Sequence, residues 1–537
     1  LPFQLLSLNA QNHNNFEISK SLDIYASLFK ELNLNYVDDI NPAELNEIAI
    51  KAMLQELDPY TVFVPEADIE SFQLMTTGEY GGIGSLIQQI DGRVTITEPY
   101  EGFPAQKSGL IPGDKILEVN GVDTKNKNTA EVSELLKGQP GSTISLVIER
   151  EGEDKALEKK LIREKIKLEN IPYHTVFENG IAYILLTGFT QKAAAEMKEI
   201  FLAMREQHNL KGLVVDLRGN GGGLLTEAVD ICNIFIEKGE LIVATRGKSA
   251  DKTSVHRTRQ AVVDKDIPVV VMVNEASASA SEIVAGALQD LDRAVIIGRR
   301  TFGKGLVQNV VPLSYNTQMK VTIAKYYIPS GRCIQEIDYS KLRNGEKQKT
   351  DSTIATFKTR NGRTVFDGKG ISPDIIIDEK DFSAVSANLY TGNFIFKYAN
   401  HFMRQNTSIP RPEEFEITDD IYEDFMKFIA EKNFTYTTES ERMINKMREI
   451  ALEESYLDAV NPQLEALVNE LINYKKNDIH KHRREIEELL KMEIVQRYYH
   501  QKGKIIAALD HDPDLEMAFE VLLDTARYNE IIYPKIP

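Results

Sequence analysis

The 537-residue chain has no tryptophan, two cysteines and no run of 18 or more apolar residues. Without such a run there is no helical membrane span to predict. Cys232 and Cys333 cannot build a disulfide framework or, by themselves, a structural zinc site; each lies in an apolar stretch, which predicts buried thiols rather than a bridge. Positive charge is in deficit: 63 Lys+Arg face 81 Asp+Glu, a net charge of −18, with no long basic run. Such a chain repels phosphate backbones, so nucleic acid is not an expected partner. There is no internal repeat, no low-complexity segment and no His-Glu-x-x-His motif, and no metal or cofactor is expected. Nine histidines are present, but His174, His208 and His256 have no glycine or serine context, and His480, His482, His500 and His511 fall in the C-terminal region. A Ser/His/Asp triad, which geometry could still assemble from afar, is therefore disfavoured.

What remains is an ordinary globular composition, 42% apolar and 27% charged, long enough for about three or four domains. The fold class it predicts is multidomain α+β. Residues 1–75 read as helical: Leu22, Tyr25, Phe29 and Leu32 recur at helical spacing, and Asn41-Pro42-Ala43-Glu44 caps a second helix that Asp58-Pro59 ends. The apolar opening Leu1 to Ala10 reads as the tail of a signal peptide and points to export. Over 76–164 short alternating strands are separated by glycine turns, with a helix from Thr129 to Leu136, which predicts a small β-rich module. From 165 to 380 apolar strands alternate with helices, as in an α/β domain whose sites gather at the carboxyl ends of strands. Residues 381–537 read as helical, with Asn461-Pro462 opening one segment.

Three segments could carry chemistry. Asp216-Leu217-Arg218-Gly219-Asn220-Gly221-Gly222-Gly223 runs from a strand end through glycines into a helix, leaving backbone N–H groups to meet an anion, whether a phosphate or an oxyanion. It could equally be a tight turn. Asn274-Glu275-Ala276-Ser277-Ala278-Ser279-Ala280-Ser281-Glu282 places serines among small residues at a helix start, as a nucleophile elbow or a simple N-cap does. Thr301-Phe302-Gly303-Lys304-Gly305-Leu306-Val307-Gln308 sets a lysine between glycines. To serve as a general base near neutral pH, that lysine must be buried enough to lose about three pKa units, roughly 4 kcal/mol.

Together the three segments resemble the carboxy-terminal processing (tail-specific) protease family, PDZ-containing serine peptidases with a Ser/Lys pair. Leu57-Asp58-Pro59-Tyr60-Thr61, Ile328-Pro329-Ser330-Gly331-Arg332 and Gly370-Ile371-Ser372-Pro373-Asp374 are similar to further blocks of that family, in the same order. The resemblance implies an α/β peptidase core of the ClpP/crotonase kind over 165–380 and a PDZ-like module over 76–164. It makes Ser279 the nucleophile and Lys304, 25 residues later, its base, with Gln308 orienting the lysine. It implies an oxyanion hole from the amides of Ala280 and Gly222, or less firmly Gly223, and capture of a substrate's C-terminal carboxylate by Gly82-Ile83-Gly84. Expected partners are proteins with apolar C-termini, a second copy through the terminal helical regions, and an adaptor of unknown kind; the expected setting is the periplasm or another exported compartment. The competing expectations are a PDZ scaffold that has lost catalysis, and an acyl-CoA-handling enzyme that leaves Lys304 and the β-rich module without a role.

Overall fold

The computed structural model describes residues 2–69, 77–343, 355–378, 382–475 and 477–534. The domain boundaries expected at 75/76 and 380/381 lie outside the described residues. The chain forms two compact units, one from Leu1–Ile69, Val307–Ile323 and Ile337–Gln348, the other from Glu70–Leu306, Ala324–Glu336 and Lys349–Pro537.

In the first unit, helix Pro2–Asn35 precedes helix Pro42–Gln55. The Asn41 side chain accepts from the N–H groups of Ala43 (3.2 Å) and Glu44 (3.4 Å), and Pro42 occupies a first-turn position that needs no donor. Past the helix, Asp58 Oδ1 accepts from the amides of Tyr60 and Thr61, both at 2.8 Å, and turns the chain into strand Val62–Val64. That strand pairs with the first residues of Gln318–Tyr327, where the Thr322 amide donates to Thr61 Oγ1 and its hydroxyl to Asp58 Oδ1, both at 3.2 Å. The Leu57 to Thr61 block is thus a clasp between helix and strand. Strand Leu306–Pro312 pairs with the same long strand, and Tyr315 and Asn316, with φ of 54° and 53°, lie in the connection between them.

The second unit is organised by a six-stranded sheet. Ile181–Leu185, Gly212–Asp216, Val269–Val273, Val295–Gly298 and Ile375–Ile376 run parallel in that spatial order, with Tyr173–Val176 antiparallel at one edge. Strands buried on both faces need unbroken apolar runs, and Val269-Val270-Val271-Met272-Val273 is one. Crossover helices Ala193–Gln207, Leu225–Phe235 and Ala280–Asp290 follow the first three of these strands.

The β-rich module is a second sheet in the order Ser85–Ile90, Arg93–Pro99, Lys115–Val119, Thr143–Glu149, Leu157–Ile162, closed over Val94, Ile96, Ile116, Val132, Ile144 and Ile148. Its helix spans Thr129–Leu136, as predicted, because Asn128 and Glu131 cap each other: Asn128 Oδ1 accepts from Glu131 N (3.0 Å) and Glu131 Oε2 from Asn128 N (2.7 Å).

One expectation about the C-terminal region changes. Helix Leu457–Lys475 starts before Asn461-Pro462 and carries Pro462 inside it; near the N-terminal end the proline forfeits one hydrogen bond, to the Asp458 carbonyl. The region beyond 380 is helical to its end, and its last two helices pack on the α/β domain. Helices Pro513–Leu523 and Thr525–Ile532 lay Leu515, Ala518, Val521, Leu522, Tyr528 and Ile532 against Val214, Val270, Met272, Val295 and Ile297 of the parallel sheet, in one core. They complete the α/β domain because that face of the sheet is apolar and must be covered. The rest of the region has its own core, including Leu389, Ile395, Tyr398, Phe425, Ile486, Leu490 and Ile494.

The Tyr528 hydroxyl accepts from the Val269 amide at 3.1 Å, so Tyr528→Phe leaves a buried strand N–H unpaired. We expect the unfolding free energy of the sheet to fall by about 1–3 kcal/mol in denaturant titrations.

Candidate active site

Three adjacent parallel strands end at Asp216, Val273 and Gly298, so the segments singled out in the sequence leave the sheet side by side. Hydrogen bonds sort the three serines of the second segment. Ser277 Oγ donates to the Leu217 carbonyl (2.8 Å) and accepts from Asn274 N (3.0 Å); Ser281 Oγ donates to the Asn220 carbonyl (2.9 Å). Both lie fully buried and sew the serine turn to the glycine loop. Ser279, between them, has φ 57° and ψ −109°, a left-handed conformation that costs a β-substituted residue of order 1–3 kcal/mol and persists only where the surroundings enforce it. Its hydroxyl lies near enough to the Tyr326 phenol to lower that group's pKa.

Enforcement comes from Glu282, fully buried in the first turn of helix Ala280–Asp290. Its Oε2 accepts from the amides of Ser279 (2.9 Å) and Lys304 (2.8 Å), and its Oε1 from the Gly303 amide (2.8 Å) and the Thr301 hydroxyl (2.6 Å). Burial pushes this carboxyl above the ordinary range while the four donors pull it down. One oxygen therefore holds the backbone of the serine and of the lysine together. Lys304 is half-buried, and Gly305 is a glycine because a Cβ there would come within 2.3 Å of Gln335 N.

Tyr326, which the sequence reading passed over, is a second bridge. Its amide donates to the Gly305 carbonyl at 2.8 Å, next to Lys304, and its phenol lies near the Ser279 hydroxyl. Burial raises its pKa to about 12, so the phenol keeps its proton at neutral pH. Nothing in the local pattern Lys325-Tyr326-Tyr327 of a strand marks one tyrosine as the inward one; only pairing with Leu241–Gly247 fixes which face it takes.

The glycine loop closes over this turn. A Cβ on Gly222 would lie 2.7 Å from the Ala278 carbonyl oxygen, 2.8 Å from Ser279 Cβ and 2.9 Å from Ala280 N, so only glycine leaves that space open. The Gly222 amide, expected at the oxyanion hole, donates to Asn220 Oδ1 at 2.9 Å. Asn220 folds back on its own loop and takes the donor, as asparagine does in turns. The amides of Ala280 and Gly223 have no hydrogen-bond partner among the described residues.

Gln308 lies in the first unit, where its Nε2 donates to Thr322 Oγ1 at 3.4 Å. In the β-rich module, the carbonyls of Ile83 and Gly84 accept from the amides of Ala105 (2.8 Å) and Tyr100 (2.9 Å), while the Ile83 and Gly84 amides have no partner among the described residues. Gly82 precedes them as the last residue of strand Glu79–Gly82, and the Ser85–Ile90 strand that follows is paired on one side only. His256 meets a serine, Nε2 to Ser254 Oγ at 2.8 Å, but that serine is not in the turn.

The arrangement can present a strained serine hydroxyl, a lysine tethered beside it and two open amides, the parts of an acyl-transfer site. The profile of peptidase family S41 matches residues 180–341, that of a PDZ domain residues 95–150, and that described as "Probable PDZ-protease, C-terminal helical domain" residues 385–522. The carboxy-terminal-processing protease of Bartonella bacilliformis is 35% identical over 334 residues, 62% of this chain and 76% of that protein. A probable CtpA-like serine protease of Staphylococcus aureus is 32% identical over 376 residues, 70% of this chain and 68% of its own. Among solved structures, the photosystem II D1 C-terminal processing protease is 26% identical and covers 66% of this chain and 92% of its own, with a TM-score of 0.37. The chain belongs to the S41 peptidases, the family of carboxy-terminal-processing serine proteases, and carries a PDZ domain and a C-terminal helical domain alongside the peptidase core.

Glu282→Gln turns an amide NH₂ toward two of the four donors and loosens the serine and lysine backbones together. We expect a fall in peptidase rate of about 100-fold, the scale of a 1 Å misplacement, with the circular dichroism spectrum unchanged. Ser277→Ala and Ser281→Ala each cost about 1–3 kcal/mol of stability but keep Ser279, so denaturant titration, not Ser279 chemistry, registers them first.

Proposed function

We propose that the enzyme is an endopeptidase that recognises protein C-termini through its PDZ domain and cleaves by a Ser279/Lys304 acyl-enzyme mechanism. The observation that carries the reading is the Glu282 carboxylate, which ties a strained Ser279 to Lys304. Lys304, as the free amine, takes the Ser279 proton; the hydroxyl oxygen attacks the scissile carbonyl; the amine segment leaves with that proton, and water hydrolyses the ester. Ala280 and Gly223 N–H groups hold the oxyanion, Gly223 replacing the Gly222 of the sequence expectation. Gln308 would orient the lysine amine, a role supported by its place four residues along the chain. The substrate's tail adds as a strand to the open edge of Ser85–Ile90 with its carboxylate on the Ile83 and Gly84 amides, a mode in which the alternating pockets suit apolar C-termini.

The test is digestion of an unfolded model protein bearing an apolar tail. Wild type cleaves; Ser279→Ala and Lys304→Ala, still folded, lose about 10⁴-fold or more. Deleting the tail lowers kcat/KM by about tenfold or more, the factor that 1.4 kcal/mol of tail binding supplies. Cleavage by Ser279→Ala overturns the mechanism, and indifference to the tail overturns PDZ selection.

A second copy of the chain is the partner we propose for the first unit. Helices Pro2–Asn35 and Pro42–Gln55 leave a groove of about 590 Å³ lined by Ile18, Leu22, Tyr25, Ile50 and Met53, with Leu22 64% and Met53 62% exposed. Wild type is expected to sediment as a dimer, and Leu22→Glu/Met53→Glu as a monomer. The setting we propose is the cell envelope, on family likeness; recovery of the full-length protein in the cytoplasmic fraction overturns it.

A further inference from the structure

Arg218 opens the glycine loop, and its guanidinium is held by three carboxylates. Nε and Nη2 reach Asp216 (3.0 and 2.7 Å), Nη2 and Nη1 reach Asp512 (2.6 and 3.0 Å), and Nη1 reaches Asp514 (2.9 Å). Asp216, at the end of its strand, is fixed in turn by the Tyr183 hydroxyl at 2.8 Å. The side chains of Asp216, Asp512 and Asp514 are 3%, 8% and 3% exposed, so these are bonds in a poorly hydrated place, where charge-assisted geometry is stiff. Asp514 also faces a second arginine: Arg299 Nη1 stands 4.0 Å from its Oδ2, while Arg299 Nε bonds Glu275 at 3.0 Å.

Those contacts span all three segments of the site. Arg218 belongs to the glycine loop, Glu275 to the serine turn, and Arg299 to the start of the loop that carries Lys304. Asp512 and Asp514 stand 294 and 296 residues from Arg218, at the start of helix Pro513–Leu523, where Asp512 Oδ1 also caps the amides of Asp514 (3.0 Å) and Leu515 (3.3 Å).

We propose that Asp512 and Asp514 are positioning residues of the peptidase, holding the glycine loop through Arg218 so that it keeps its place over the Ser279–Ala280 turn. The proposal rests on the Ser279 reading of the site. It assigns the last helices of the chain a part in turnover as well as in covering the sheet. Because the clamp touches the oxyanion side rather than the tail-binding strand, its loss lowers kcat and leaves KM in place.

The experiment uses the full chain and a peptide bearing the apolar tail. Asn is as good an N-cap as Asp, so Asp512→Asn keeps the helix start through its Oδ1 while turning an NH₂ toward Arg218 Nη2, and Asp514→Asn removes the second charge while leaving an oxygen for Arg218. The expected result is a kcat at least tenfold lower in the double variant, KM within twofold of wild type, and recovery in Asp512→Glu. Arg218→Met is expected to show the same loss, and adding Asp512→Asn to it no further loss. Tyr528→Phe, destabilised on the same pair of helices, is expected to keep wild-type kcat, which separates positioning from stability. A double variant with kcat within twofold of wild type, while Ser279→Ala is inert, overturns the clamp alone. Cleavage by Ser279→Ala overturns the site reading and the clamp with it.

Discussion

One buried carboxylate organises the catalytic end of this molecule. Glu282 receives four donors from four residues spread over the serine turn and the lysine loop. A carboxylate sealed from water is tolerated only when its oxygens are fully used, and here that need fixes two loops in register. The strain at Ser279 is held the same way. Its amide is tied to Glu282, its neighbours Ser277 and Ser281 are bonded to the glycine loop, and the turn has no freedom to relax. Sequence neighbours cooperate here in a way composition conceals: of three serines with one spacing, Ser277 and Ser281 bond the glycine loop and Ser279 holds the strained turn between them.

Much of this was legible beforehand. Strands of five consecutive apolar residues, the Asn128/Glu131 capping pair and the Asn41-Pro42 start each dictate their element locally, and the structure follows them. The convergence of the three segments was legible too, since parallel strands in an α/β sheet deliver their loops to one edge. What escaped notice depends on partners distant in the chain. Tyr326 is one of two adjacent tyrosines and only sheet register aims it. The Gly222 amide reads as an open donor until Asn220 is seen to occupy it. Pro462 reads as a helix start because a proline tolerated just inside the N-terminal end of a helix leaves no signature that separates it from one at the first turn.

The short block around Asp58 illustrates how a motif can be structural without being near the chemistry in sequence. Asp58 and Thr61 bind the strand that carries Thr322, and Thr322 in turn receives the Gln308 amide. The geometry of Gln308 is thereby set by residues some 250 positions earlier in the chain. Apolar helices in the same unit leave their groove uncovered, whereas in the second unit the parallel sheet, the β-rich module and the C-terminal helices each bury an apolar core.

The last helices have a consequence in time as well as in space. The face of the parallel sheet lined by Val214, Val270, Met272, Val295 and Ile297 stays wet until Leu515, Val521, Leu522 and Ile532 arrive, and those come after every strand of the sheet in the chain. A nascent chain therefore contains serine, lysine and glycine loop long before it contains the residues that close the domain around them.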